Sequence, residues 1–142
     1  NNPSVVIDRE CFDRVGLFDE KMFFAADWDM WLRIAEKYEI KYIAQPLSKY
    51  RLIRDYRQAH PGEAEADYLS VLAKVWARNP GLSGRLKRQA LSEVYTDMFY
   101  VNFRNRKTVA AARSALALFL TDPGRSAALI GARFKRKKEE NF

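Results

Sequence analysis

The chain has 142 residues, of which 48% are hydrophobic, 13% aromatic and 30% charged. That balance fits a globular domain long enough to bury a core and excludes a disordered or collagen-like polymer. Twenty-five Lys and Arg against eighteen Asp and Glu give a net charge of +7, and the excess is uneven: Asn1 to Leu52 holds eight basic and nine acidic residues, leaving seventeen and nine for Ile53 to Phe142.

Ser4 to Ile7 is a short β-branched run and reads as a strand. Asp8 follows in position to cap a helix from about Arg9 to Val15, with Cys11, Phe12 and Val15 on one side and Gly16 as the left-handed residue that ends it. Asp27 to Glu39 repeats apolar groups at Trp28, Trp31, Leu32, Ala35 and Tyr38, the spacing of an amphipathic helix, with Asp29 and Arg33 placed to pair on its outer face. Ile40 to Ala44 reads as a second strand, ended by Gln45-Pro46. After Ile53 strand signals vanish, and residues up to Pro61-Gly62 resemble a linker. Helices are then expected over Ala64 to Asn79, Gly84 to about Phe103 (capped by Ser83) and Lys107 to Thr121, the last two as an antiparallel hairpin joined near Asn105-Arg106. Asp122-Pro123 can start a final short helix through Ile130. The expected fold is thus an α/β portion over residues 1–52, a linker over 53–62 and an all-helical extension over 63–142.

One cysteine, Cys11, excludes an internal disulfide and a cysteine-built metal site, and fits a reduced, intracellular setting. The one histidine, His60, stands without a serine in a nucleophile-elbow context. The longest apolar stretch, Val109 to Leu120, is interrupted by Arg113 and Ser114 and falls short of the roughly 20 residues of a membrane span. No secretory leader opens the chain, which begins as if cut from something longer.

The informative residues are Val15-Gly16-Leu17-Phe18-Asp19-Glu20, then Phe23 to Arg33 with Asp27-Trp28-Asp29-Met30-Trp31, then Tyr42 to Leu47 and Tyr50-Arg51. In order and spacing this resembles the C-terminal part of the catalytic domain of family 2 glycosyltransferases, GT-A fold enzymes of bacterial surface-polysaccharide synthesis. A "v-G-x-F-D-E" turn there precedes a helix reading "E-D-W-D-l-W-l-R". The resemblance covers about Ser4 to Arg51.

It implies an inverting transfer of sugar from a nucleotide-sugar donor to a hydroxyl of a saccharide or lipid-linked acceptor, with Asp27 as the general base. An alcohol is a poor nucleophile at neutral pH, and a fixed carboxylate that takes its proton speeds attack by about 10²–10⁴-fold. An aspartate at a helix start also serves as an N-cap, a plainer reading of Asp27 that is compatible with its acting as the base. Asp29 is the other acidic candidate, but two helical residues rotate by about 200°, which turns it from the substrate side toward Arg33. Phe24 and Trp28 are the candidate aromatic contacts to substrate; Trp31 reads as core.

Two departures accompany the resemblance. Ala26 stands where the family has Glu, and Ile53 stands where many members carry a histidine near the donor's metal, leaving His60 as a substitute ligand only if its loop folds back. The Mg²⁺ or Mn²⁺ that the resemblance implies would be bound mainly outside this segment, since no Asp-x-Asp element precedes a strand and no glycine-rich phosphate loop is present. The expectation is therefore a glycosyltransferase fragment, inactive alone, cytoplasmic or peripheral on the inner membrane face, with exposed strand edges as a route to homodimers. The competing reading is a non-catalytic helical module docking on a membrane or a protein through its basic half. Nucleic acid is disfavoured because the basic residues are scattered without stacked aromatics. Ala128 to Lys138, apolar then basic, is the membrane-contact candidate.

Overall fold

The computed structural model describes residues 4–49 and 60–128. Regular structure among them is helical throughout: α1 (Arg9–Val15), α2 (Ala26–Ala35), α3 (Pro61–Arg78), α4 (Gly84–Arg104), α5 (Thr108–Thr121) and a last turn and a half over residues 123–128. This corrects the expectation of an α/β fold. Ser4 lies in a 3₁₀ turn, residues 5–7 and 40–44 have no regular structure, none of them pairs with another strand among the described residues, and Val6 and Tyr42 are 99% and 90% exposed. Branched and aromatic residues favour a strand only where a neighbour completes the ladder and covers a face, and two short runs do not make a stable sheet by themselves.

The chain forms two compact units, Asn1–Arg78 and Asn79–Phe142. Helix α3, assigned by sequence to the extension, therefore belongs to the first unit. Pro61, read as the end of a linker, opens α3 instead: a first helical residue has no partner for its N–H, so a proline costs nothing there.

In the first unit α2 buries two faces. Cys11, Met30 and Ile34 form one small core with Ile7, Phe12, Val15, Trp31 and Tyr38 packed around it, joining α1 to α2. Met22, Ala25 and Val71 form another with Ala26, Trp28, Leu32, Tyr68 and Val75, joining α2 and the loop before it to α3. Asp8 caps α1 by accepting the Glu10 N–H at 2.9 Å, and Gly16 ends it at φ +81°, its N–H donating to the Phe12 carbonyl. Helix α2 stops at Ala35, short of the expected Glu39, and the Lys37 and Tyr38 N–H groups both donate to the Ile34 carbonyl in the closing turn.

In the second unit α4 and α5 pack as the expected hairpin. Ser83 accepts the Leu86 N–H to start α4. At its end Lys107 N–H donates to Asn102 O and Arg106 N–H to Phe103 O, with Arg106 at φ 57°, a Schellman closure whose left-handed position holds an arginine. Ser92, Thr96, Asn102 and Ser114 are buried, small or short polar groups that let backbones approach, and Asn102 Nδ2 reaches Ser114 Oγ at 3.5 Å. Asp122 accepts the Arg125 N–H to begin residues 123–128, and the Arg125 guanidinium grips both Glu93 oxygens at 2.6 Å.

Candidate functional site

The loop between α1 and α2 carries the segment on which the functional reading rests, and two side chains of α3 hold it. The Asp67 carboxylate accepts the backbone N–H groups of both Phe23 and Phe24, at 2.9 and 2.7 Å on one oxygen. Lys74, two helical turns further on, pairs with Asp19, whose other oxygen accepts the Lys21 N–H. The Asp19 carboxyl is held below its ordinary range, first by the Lys74 hydrogen bond and then by the Lys21 amide. Asp67, Val71, Lys74 and Arg78 thus form one stripe along α3, facing the loop and α2.

The anchored loop delivers Asp27 into the first turn of α2. Asp27 is not the residue that caps this helix. Ala25 occupies that position without a side-chain acceptor, Ala26 is the first helical residue, and Asp27 is half-buried with Oδ1 accepting its neighbour's Trp28 N–H at 2.7 Å. Its Oδ2 receives no hydrogen bond among the described residues.

Aromatic groups flank this turn on both sides. The Phe24 ring lies 6.5 Å from the imidazole of His60, and the Trp28 ring meets Tyr68 edge-on at 5.7 Å. His60 thus stands beside the loop at Phe24, three residues before Asp27 in sequence. The imidazole Nδ1 lies 3.1 Å from Glu63 Oε1. No third His, Cys, Asp or Glu joins them, since no group of three such residues is placed to hold a metal ion among the described residues. Trp28 is half-buried against the Met22, Ala25 and Val71 core, so part of its ring is structural.

Asp29 has a different setting from the one expected of a substrate contact. It is 2% exposed, it accepts Arg33 Nε at 2.9 Å, and Arg78 Nη1 stands 3.8 Å from its other oxygen. Arg33 also donates to the carbonyls of Val15 and Leu17, at 2.8 Å for the latter, and Arg78 Nε donates to both Glu36 oxygens. The Asp29–Arg33 pair anticipated from its spacing is present, but on a buried face that ties α2 to the end of α1. Asp27 and Asp29 look in different directions, as their helical rotation requires.

Sequence reasoning missed Asp67. Its signal lay in the periodicity of α3, where only apolar positions were counted, although an acidic residue four before Val71 and seven before Lys74 shares their face. Tyr50-Arg51 and Ile53 lie outside the described residues, as does the basic tail from 129 onward. No protein-family model matches the chain, and no curated protein or solved structure matches it significantly.

Proposed function

We propose that this chain carries the acceptor side of an inverting glycosyltransferase, with Asp27 as the general base. The observation that carries the reading is the combination at one turn of α2: the Asp-Trp-Asp-Met-Trp segment resembling family 2 enzymes, and a half-buried Asp27 at the helix start whose Oδ2 has no hydrogen-bond partner among the described residues. In the proposed step an acceptor hydroxyl donates its hydrogen bond to Asp27 Oδ2. Its oxygen attacks the anomeric carbon of the donor sugar, the bond to the nucleotide breaks with its electron pair, and Asp27 takes the proton. Phe24 and Trp28 offer aromatic surface to the apolar face of a pyranose beside this oxygen. Asp29 acts only by fixing α2.

The test is sugar transfer by the full protein carrying this chain, with a panel of nucleotide-sugars, comparing the native form with Asp27→Asn. Turnover is expected to fall by about 10²–10⁴-fold with donor binding retained. Because asparagine keeps the Oδ1 contact to Trp28 N–H and Asp27 is not the helix cap, the melting temperature should scarcely move. Near-normal turnover in Asp27→Asn would reject the base assignment.

A further inference from the structure

Helix α5 is apolar on two opposite sides. Ala111, Ser114 and Leu118 are buried, while Val109, Leu116 and Leu120 are 84%, 59% and 73% exposed. At 100° per residue these last three fall on one line, opposite the buried three, and exposed Phe119 borders them. The packing of the hairpin satisfies one side and leaves the other uncovered.

Charge identifies what suits the uncovered side. From Met98 to Thr121 the chain contains no Asp or Glu, while Arg104, Arg106, Lys107 and Arg113 fall in that span. Arg104, Arg106 and Lys107 are exposed together at the turn, next to exposed Tyr100 and Phe103 and two to five residues before the apolar line begins at Val109. They also break a local rule. Helix starts favour oxygen acceptors and acidic residues, yet α5 has Lys107 at its N-cap with no side-chain cap bond and no acidic residue in its first turn. Cations gathered at the positive end of a helix repel one another and are offset by an external anion. An apolar helix face with cations at one end and aromatic groups beside them is the pattern of a segment lying in a membrane interface.

We infer that the α4–α5 hairpin docks on an anionic lipid surface, with Val109, Leu116 and Leu120 entering the boundary between headgroups and acyl chains and Arg104, Arg106 and Lys107 meeting lipid phosphates. This surface differs from the basic tail that sequence alone suggested. It stands independently of the transferase reading. With no helix long and apolar enough to cross a membrane among the described residues, the contact is one of lying on the surface.

The full chain should float with vesicles of phosphatidylcholine mixed equally with phosphatidylglycerol and not with phosphatidylcholine alone, and binding should weaken as salt rises. Arg104→Gln with Lys107→Gln should lower the partition coefficient by about 30-fold, and Leu116→Gln with Leu120→Gln should lower it by at least about tenfold. All four side chains changed are exposed, so both double variants should keep the native helical circular dichroism and melting curve. Neutralising Lys135, Arg136, Lys137 and Lys138 to glutamine should leave most of the binding. The inference is overturned if neutral vesicles bind equally, or if the tail variant loses binding while both hairpin variants retain it. It is also overturned if sedimentation shows a dimer, dissociated by Leu116→Gln with Leu120→Gln, that binds no vesicles.

Discussion

At the scale of single residues, Asp29 and Asp27 separate two fates of a carboxylate on one helix. Asp29 has a side chain 3% exposed and lies between two guanidinium groups, so removing it leaves Arg33, itself only 16% exposed, with an uncompensated charge. Breaking a buried pair from one side costs about 3–5 kcal/mol, and Asp29→Ala should lower the urea-unfolding free energy by about that much. Asp27→Asn should cost less than about 1 kcal/mol, the size of a charge–dipole interaction. The pairing of Asp29 with Arg33 was legible as a four-residue spacing. Its burial was not, because the carbonyls of Val15 and Leu17 that make a buried arginine tolerable come from another element. Asp19 gives a pH dependence. Its folded-state carboxyl is held below the ordinary range by Lys74, so its contribution is complete above the unfolded value and is lost as pH falls through the folded one. The stability difference between the native chain and Asp19→Asn should be constant near neutrality and shrink below about pH 4. Urea titrations at several pH values would measure it, and a gap that persists undiminished to about pH 2 would remove Lys74 from the account.

Among elements, the closure between α4 and α5 offers the clearest gain by substitution. Arg106 sits at φ 57°, where a side chain crowds its own backbone and glycine does not. Arg106→Gly should therefore stabilise the hairpin by about 0.5–1 kcal/mol, the relief of the left-handed conformation exceeding the entropy glycine adds to the unfolded chain. Thermal unfolding would show Tm rising by a few degrees. The two cap residues Asp8 and Ser83 and the terminator Gly16 were readable because each acts on its nearest neighbours. The end of α2 was not. Tyr38 keeps the phase of a helix and packs with the Cys11, Met30 and Ile34 core, yet the backbone has already left the helix after Ala35. Periodicity records which side a residue faces and does not require the backbone to stay helical.

Across the whole molecule, the expectation of strands failed for a reason that lies outside any short window. Residues 40–44 have the composition of a strand, but strand formation depends on a neighbour, and none is paired with them among the described residues. The helical half was more legible, since helix hydrogen bonds close within four residues and the hairpin needs only a short turn. The division after Arg78 places residues 79–142 in a compact unit with its own buried groups, Val94, Met98, Ala111 and Leu118. Expressed alone, residues 79–142 should retain helical circular dichroism and melt cooperatively; a random-coil spectrum would show that the unit is not self-sufficient. The candidate site was half legible. The segment around Asp27 stood out, whereas its support from Asp67 joins residues 43 and 44 positions apart.

Arg78 has a consequence in time. As the last residue of α3, it reaches back across 42 positions to Glu36 and lies beside the buried Asp29. The ribosome must therefore synthesise the whole of α3 before the polar lock on α2 can close. The later hairpin closes through contacts between consecutive helices and has a shorter search. In refolding experiments the C-terminal unit should reach native helicity first, and the turn that presents Asp27 should be among the last parts to be set.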